Sequence, residues 1–314
     1  MPLPRVIADT PLAPAIEALL AGVVEILPWT AAQDGPRSDV VALYTYGHPR
    51  VDGPLLDRLP GLRIISNYGV GVDHIDLAAA QARRVPVGNT PGILDGATAD
   101  MGLALLLAAA RRLVEGDRYA RSPAFTRYDP GYMLGREVHG STLGIVGLGR
   151  IGRQVARRAR GFDMRLLYCK RHRDEEAEQS LGLEFAPLEE LLAASDFVML
   201  CCPLTDETRG LIGRAALARM KPTAILVNIA RGPVVDTAAL TEALQARRIY
   251  AAALDVTDPE PLPRDHPLLA LDNVIIAPHL GSATEQTRQK MAEISVENLR
   301  RGLAGLPLVH EVRA

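Results

Sequence analysis

Three polar side chains stand directly after strongly apolar runs in the second half of the chain. Arg231 follows Ile225-Leu-Val-Asn-Ile-Ala230, Asp255 follows Ala251-Ala-Ala-Leu254, and His279 follows Val274-Ile-Ile-Ala-Pro278. A fourth, Glu260, lies between Pro259 and Pro261, which stiffen its backbone. Such runs read as buried strands, and open α/β sheets bind ligands beyond the carboxyl ends of their strands. An Arg, an acid and a His gathered there have a definite use. The Arg grips a carboxylate, the His exchanges a proton with a hydroxyl or carbonyl, and the acid orients the imidazole and favours its protonated form. Each residue alone reads as a loop charge or a structural turn. Their shared position on successive strand ends singles them out. His48, His74, His139, His266 and His310 lack that placement and read as structural.

A second cluster lies upstream. Leu143-Gly-Ile-Val-Gly147-Leu-Gly149-Arg150-Ile151-Gly152 contains GxGxxG, preceded by an apolar strand and followed by a helix with Ile151, Val155 and Ala159 on one face. Gly147 permits the tight turn, Gly149 lets the backbone approach a pyrophosphate, and Gly152 lets the helix pack on the sheet. The N–H groups at the helix start, from Arg150 and Ile151 on, face the anion. The position about 20 residues further on chooses the dinucleotide, an acid there accepting the ribose 2′-OH of NAD. This strand instead ends Tyr168-Cys169-Lys170-Arg171-His172-Arg173, with no acid before Asp174. Lys170 and Arg171 would attract a 2′-phosphate, which favours NADP(H) and leaves NAD(H) possible.

These residues need a scaffold of alternating strands and helices. Val6–Ala8, Val23–Leu27, Val40–Tyr44, Leu62–Ser66 and Val85–Val87 read as strands, with helices at Ala13–Ala21, Pro54–Leu59 and Asp76–Arg83 between them. The Ala/Leu-rich stretch Asp95–Val114 predicts one long helix, and Gly116–His139, with Pro123, Pro130, Gly131 and Gly135, an irregular stretch that serves as a linker or an interface arm. A second series has six expected strands: Leu143–Val146, Leu166–Cys169, Phe197–Cys201, Ala224–Asn228, Ala251–Leu254 and Val274–Ala277. That pattern fits a doubly wound nucleotide-binding domain. Glu285–Leu303 closes the chain as a helix.

Composition removes several classes. With 314 residues, 48% hydrophobic, the chain supports real cores and two domains. A net charge of −2, from 32 Arg and 3 Lys against 37 acids, gives no electrostatic reason to expect nucleic acid as a partner. Cys169, Cys201 and Cys202 form neither a disulfide framework nor a metal-binding spacing, and no HExxH is present, so no metal is expected. The N-terminus lacks a signal-peptide pattern. The longest purely apolar stretch, Met101–Ala110, is half of the roughly 20 residues a membrane span needs, so a cytoplasmic protein without a membrane partner is expected.

Taken together, these blocks resemble the D-isomer-specific 2-hydroxyacid dehydrogenase family. The resemblance rests on Asn67-Tyr-Gly-Val-Gly-Val-Asp73, Asn89-Thr-Pro-Gly92, Gly147–Gly152, Asn228-Ile-Ala-Arg231-Gly232, Leu254-Asp-Val-Thr-Asp-Pro-Glu260-Pro261 and Pro278-His279-Leu-Gly-Ser-Ala-Thr284, in that order. Asp255–Pro263 followed by His266-Pro-Leu-Leu looks closest to the glyoxylate/hydroxypyruvate reductase branch, which shares Thr257 where many relatives have Phe. The resemblance implies an α/β fold of two domains, a Rossmann-type dinucleotide-binding domain (99–285) inserted into a flavodoxin-like substrate domain (1–98 plus 286–314). It implies reduction of a small 2-oxo acid, such as glyoxylate or hydroxypyruvate, to the D-2-hydroxy acid. His279 would be the acid/base, Glu260 its carboxylate partner, and Arg231 with the Val70 and Gly71 backbone the substrate carboxylate's ligands. Asp255 and His279 would lie by the nicotinamide. The resemblance also implies a homodimer, with Tyr128 and Tyr132 in an arm that reaches the partner. NAD-using relatives carry Asp where Lys170 stands, and NADPH-using reductases often carry Arg where Arg171 stands. Other family chemistries, on 2-ketogluconate, D-lactate or phosphoglycerate, and a non-enzymatic nucleotide-sensing co-repressor, are the alternatives.

Overall fold

The structure, a computed structural model, describes residues 2–9, 11–33 and 35–312. It divides into two compact units, Met1–Leu94 with Thr284–Ala314, and Asp95–Ala283. The breaks fall at 94/95 and 283/284, not 98/99 and 285/286, because Asp95 already opens a helix of the second unit and Thr284 already caps the closing helix of the first.

In the first unit five parallel strands form one sheet: β1 (Arg5–Ala8), β2 (Glu25–Pro28), β3 (Val40–Thr45), β4 (Ile64–Asn67) and β5 (Val87–Gly88), in the order β2-β1-β3-β4-β5. This is the flavodoxin-like order. Helix Glu285–Leu303 belongs to this unit and packs on it tightly. A Cβ on Gly302 would come within 2.5 Å of the Ile64 side chain. Buried hydrogen bonds add direction to the packing. Tyr44 Oη pairs with Ser295 Oγ at 2.7 Å across 251 residues of chain, and Ser66 Oγ donates to the Ser295 carbonyl at 2.6 Å.

The second unit holds seven parallel strands: β6 (Thr142–Val146), β7 (Arg165–Cys169), β8 (Leu183–Phe185), β9 (Phe197–Leu200), β10 (Ile225–Asn228), β11 (Ala251–Leu254) and β12 (Val274–Ile276). Their order is β12-β11-β10-β9-β6-β7-β8, so the winding reverses between β6 and β9. That reversal is the switch point where such sheets bind dinucleotides. Both faces are covered, which is why the strands read as unbroken apolar runs. Ile225 and Val227 pack into one core and Leu226 into the other.

Two expectations fail here for local reasons. Strand β8 was missed because it is a three-residue edge strand with Glu184 and Phe185 exposed, too short to show a pattern. The helix expected over Asp95–Val114 stops at Ala110 and a second one runs over Leu113–Ala120. Arg112 adopts a left-handed conformation, and the Ala110 carbonyl accepts from the Arg136 N–H of the returning arm at 2.8 Å. A Cβ on Gly135 would lie 2.3 Å from that same oxygen, so the close approach needs a glycine there.

Candidate active site

The carboxyl ends of β10, β11 and β12 carry the expected polar set, and backbone geometry presents each member. Asn228, buried at the end of β10, accepts from the Ala230 N–H at 3.0 Å and donates to the Arg231 carbonyl at 2.9 Å, which folds the turn that carries the Arg231 side chain. Gly232 follows, and a Cβ there would sit 1.9 Å from the Thr257 carbonyl oxygen. The Arg231 turn therefore lies directly against the loop that carries Glu260, and only glycine allows it.

Asp255 is the keystone of the β11 end. It is 2% exposed. Its N–H donates to the Asn228 carbonyl and its own carbonyl accepts from the His279 N–H, each at 2.9 Å. Its carboxylate accepts from Leu280 N–H at 2.7 Å and Gly281 N–H at 2.8 Å. Burial raises the carboxyl pKa, and the two amide bonds oppose that rise. These bonds matter because His279 sits at φ +57°, a left-handed conformation that costs a non-glycine residue about 1–3 kcal/mol. Hydrogen bonds to a charged group contribute about 1.5–3 kcal/mol each, enough to hold it. The sequence reading placed Asp255 by the nicotinamide. Here each carboxylate oxygen already accepts a backbone amide of the His279 segment.

His279 Nδ1 lies 2.7 Å from Glu260 Oε1, with both side chains partly exposed. Glu260 Oε2 accepts from Thr257 N–H at 3.3 Å. The peptide bonds Asp258–Pro259 and Glu260–Pro261 are both cis. Arg231, Glu260 and His279 are thus delivered by three successive strand ends of one sheet.

At the β6 end the glycine turn has the expected build. A Cβ on Gly152 would meet the Gly147 carbonyl oxygen at 2.3 Å, and one on Gly147 would meet the Cys202 backbone at 2.6 Å, whereas Gly149 has nothing within 4 Å. Helix Arg150–Ala159 opens beside that open space. The residues therefore fit a dinucleotide pyrophosphate. The Arg150 guanidinium donates to Asp95 at 2.9 Å, so its side chain is held by a carboxylate while its backbone remains at the helix start. Lys170, at the β7 end, donates to Asp174 at 3.0 Å, and Arg171 is exposed.

In the first unit, the turn at Gly69-Val70-Gly71 has all three carbonyls taken. Gly69 accepts from Thr90 N–H and Asn67 Nδ2, Val70 from Asn89 Nδ2, and Gly71 from Asn67 Nδ2, at 2.9–3.1 Å. Among the described residues no hydrogen bond uses the Val70 or Gly71 N–H. Turned this way, the backbone offers donors to an anion. The sequence reading did not single out Asn67, Asn89 or Asn228 as site residues. Their shared signal is an asparagine at or just after a strand end, where its amide can hold a turn. Among the described residues no cluster of three His, Cys, Asp or Glu side chains could hold a metal ion.

Residues 103–281 match the family described as D-isomer specific 2-hydroxyacid dehydrogenase, NAD binding domain. A glyoxylate reductase of Thermococcus gammatolerans is 50% identical over 286 residues, covering 88% of this chain and 85% of that protein, and one of Pyrococcus furiosus is 49% identical over the same shares. The crystal structure of an NADPH-dependent glyoxylate/hydroxypyruvate reductase of Sinorhizobium meliloti, in complex with NADP and malonate, superposes with a TM-score of 0.90 at 31% identity, over 98% of this chain and 96% of that one. A protein of Thermus thermophilus superposes with a TM-score of 0.89 at 45% identity, over 98% and 100%.

Proposed function

The chain belongs to the D-isomer-specific 2-hydroxyacid dehydrogenase family, in its glyoxylate reductase branch, and is an NAD(P)-dependent oxidoreductase; from that premise we propose that it reduces glyoxylate and hydroxypyruvate to the 2-hydroxy acids, of D configuration where C2 is chiral, with NADPH. The observation that carries this reading is the His279–Glu260 pair at 2.7 Å, set on the same strand-end surface as Arg231. A nicotinamide dinucleotide, when held at the glycine cradle, would supply the hydride for reduction of the carbonyl. His279, tied to Glu260 through Nδ1, gives the Nε2 proton to the developing alkoxide oxygen. Glu260, through this contact, orients the ring. Arg231 serves the substrate carboxylate; in the first unit, the Val70 and Gly71 amides are the expected carboxylate donors. Asp255 keeps the His279 segment in its left-handed turn.

The preference for NADPH rests on Lys170 and Arg171 where an NAD enzyme would place an acid. The pyrophosphate is held at Gly147, Gly149 and Gly152 and by the Arg150 and Ile151 amides. A homodimer is supported by the arm after the helix break, where Leu113, Phe125, Tyr128, Tyr132 and Leu134 are all about half exposed or more, Tyr128 at 81%. Within that arm Tyr119 meets the Phe125 ring edge-on and the Tyr132 ring at a tilt, with centroids 5.5 and 4.8 Å apart. Three free cysteines fit a reducing, cytoplasmic setting, and no described helix is long and apolar enough to cross a membrane.

The test is NADPH oxidation over a panel of 2-oxo acids, with NADH in parallel and sedimentation of the same sample. Turnover on glyoxylate and hydroxypyruvate with NADPH is the expected result. Faster turnover on pyruvate, 2-ketogluconate or phosphohydroxypyruvate would reassign the substrate. No turnover on any of them would favour a nucleotide-sensing role.

A further inference from the structure

Asp174 draws together two cations that lie far apart in the sequence. It caps helix Glu175–Leu181, accepting the Ala177 N–H on Oδ1 at 3.2 Å. Its other oxygen, Oδ2, takes Lys170 Nζ at 3.0 Å and Arg153 Nη2 at 2.5 Å. The Asp174 side chain is 11% exposed, while Arg153 and Lys170 are each about one third exposed. Two cations on one carboxylate oxygen stand at most about 5.5 Å apart, where like charges repel and a single negative charge leaves them under-neutralised. Their neighbour Arg173 differs, since Glu178 takes it in two bonds of 2.8 and 2.7 Å. Arg171, exposed beside them, adds a further positive charge.

The place of this cluster in the fold is informative. Lys170 leaves the carboxyl end of β7, and Arg153 stands in the first turn of the helix that opens at the glycine cradle. Strand β7 is the hydrogen-bonded neighbour of β6, so these two elements flank the position of a dinucleotide's first ribose. A phosphate dianion there meets two cations already set side by side, with their mutual repulsion relieved on binding.

We infer that Arg153 joins Lys170 and Arg171 in reading the ribose 2′-phosphate, and that Asp174 is the positioning counter-ion that holds the set together and limits its strength. This rests on the NADPH reading above. Asp174, the first acid after the basic run, tempers the preference rather than reversing it.

Calorimetric titration of the full chain with NADP+, NAD+, 2′,5′-ADP and 5′-AMP tests this without turnover. Arg153→Gln is expected to weaken NADP+ and 2′,5′-ADP about tenfold and NAD+ and 5′-AMP less than twofold, with Arg153→Lys recovering most of the loss. Asp174→Asn keeps the helix cap, since Asn caps as well as Asp, and is expected to tighten NADP+ several-fold relative to NAD+. Equal weakening of both dinucleotides in Arg153→Gln, an unchanged ratio, or selective loss of NADP+ in Asp174→Asn would overturn the inference. Tighter NAD+ than NADP+ binding by the unmodified chain overturns the cofactor reading alone, because the inference is decided by how each substitution moves the ratio.

Discussion

Around His279 the holding groups are backbone atoms and a buried carboxylate, whereas after β7 they are side chains in ion pairs, the cations about one third exposed. Asp255 is 2% exposed and spends both oxygens on the Leu280 and Gly281 amides, and Gly232 abuts the Thr257 carbonyl too closely for any side chain. Lys170 and Arg153, by contrast, are partly exposed cations paired on the Asp174 carboxylate. Backbone bonds and close contacts cannot be exchanged residue by residue, so they suit a proton transfer that tolerates little displacement. Ion pairs at the surface contribute roughly 0–1 kcal/mol to stability and can be rewritten cheaply, which suits a choice between two similar dinucleotides. On the proposed function, the chemistry would sit on the rigid end and the cofactor choice on the adjustable one.

That contrast can be broken at several points. The largest effect is expected at the reacting group. His279→Ala should lower kcat on glyoxylate about 10²–10⁴-fold with little change in melting temperature, and full kcat in this variant would remove His279 from the mechanism. Arg231→Ala should raise the KM for the 2-oxo acid roughly 10–100-fold, since a charge-assisted bond to the carboxylate contributes about 1.5–3 kcal/mol; an unaltered KM would argue that the carboxylate is held elsewhere. Asp255→Asn turns one acceptor into a donor facing a buried N–H. It should cost about 1–3 kcal/mol of stability, and thermal unfolding together with kcat should both fall if this carboxylate supports the His279 turn. At the adjustable end, Arg171→Ala should raise the KM for NADPH several-fold and leave both melting temperature and NADH kinetics nearly unmoved. An unchanged NADPH KM would detach Arg171 from the phosphate.

The smallest expected effect concerns the thiols beside the glycine turn. Burial pushes the Cys169 and Cys202 thiols up to about 11. A cysteine reacts as its thiolate, so alkylation by iodoacetamide should be slow at neutral pH and accelerate as pH rises toward that value. Fast labelling at neutral pH, followed by peptide mass spectrometry, would show that this wall of the dinucleotide turn is more open than its packing implies.

Much of the architecture could be read from local patterns because both faces of each central strand are buried. Residues 197–200, 225–228 and 251–254 are all buried, so each appears as an apolar run whatever its neighbours. The edge strand Leu183–Phe185 has no such signature, and the helix break at Arg112 depends on Arg136, 24 positions later, reaching the Ala110 carbonyl. The site divides in the same way. Arg231, Glu260 and His279 were recognisable because reactive residue types directly follow strands or lie in the loop between them, and the glycine spacing was recognisable because the turn demands it. The support of Asp255 for the His279 turn left no trace in one dimension, since its partners are N–H groups that every non-proline residue carries. Arg153 was hidden likewise, being one arginine in a helix that has several.

By itself the amino-acid sequence determined the order of strands and helices, the glycine cradle and the chemical types at the strand ends, because these follow from local hydrophobicity, backbone freedom and side-chain chemistry. Only the tertiary structure decided that His279 and Glu260 meet at 2.7 Å, that one carboxylate clamps the His279 turn, and that Asp174 gathers Arg153 and Lys170. Hydrogen bonds and ion pairs act over about 3 Å, and which groups come within that reach is set by how strands far apart in sequence register in one sheet.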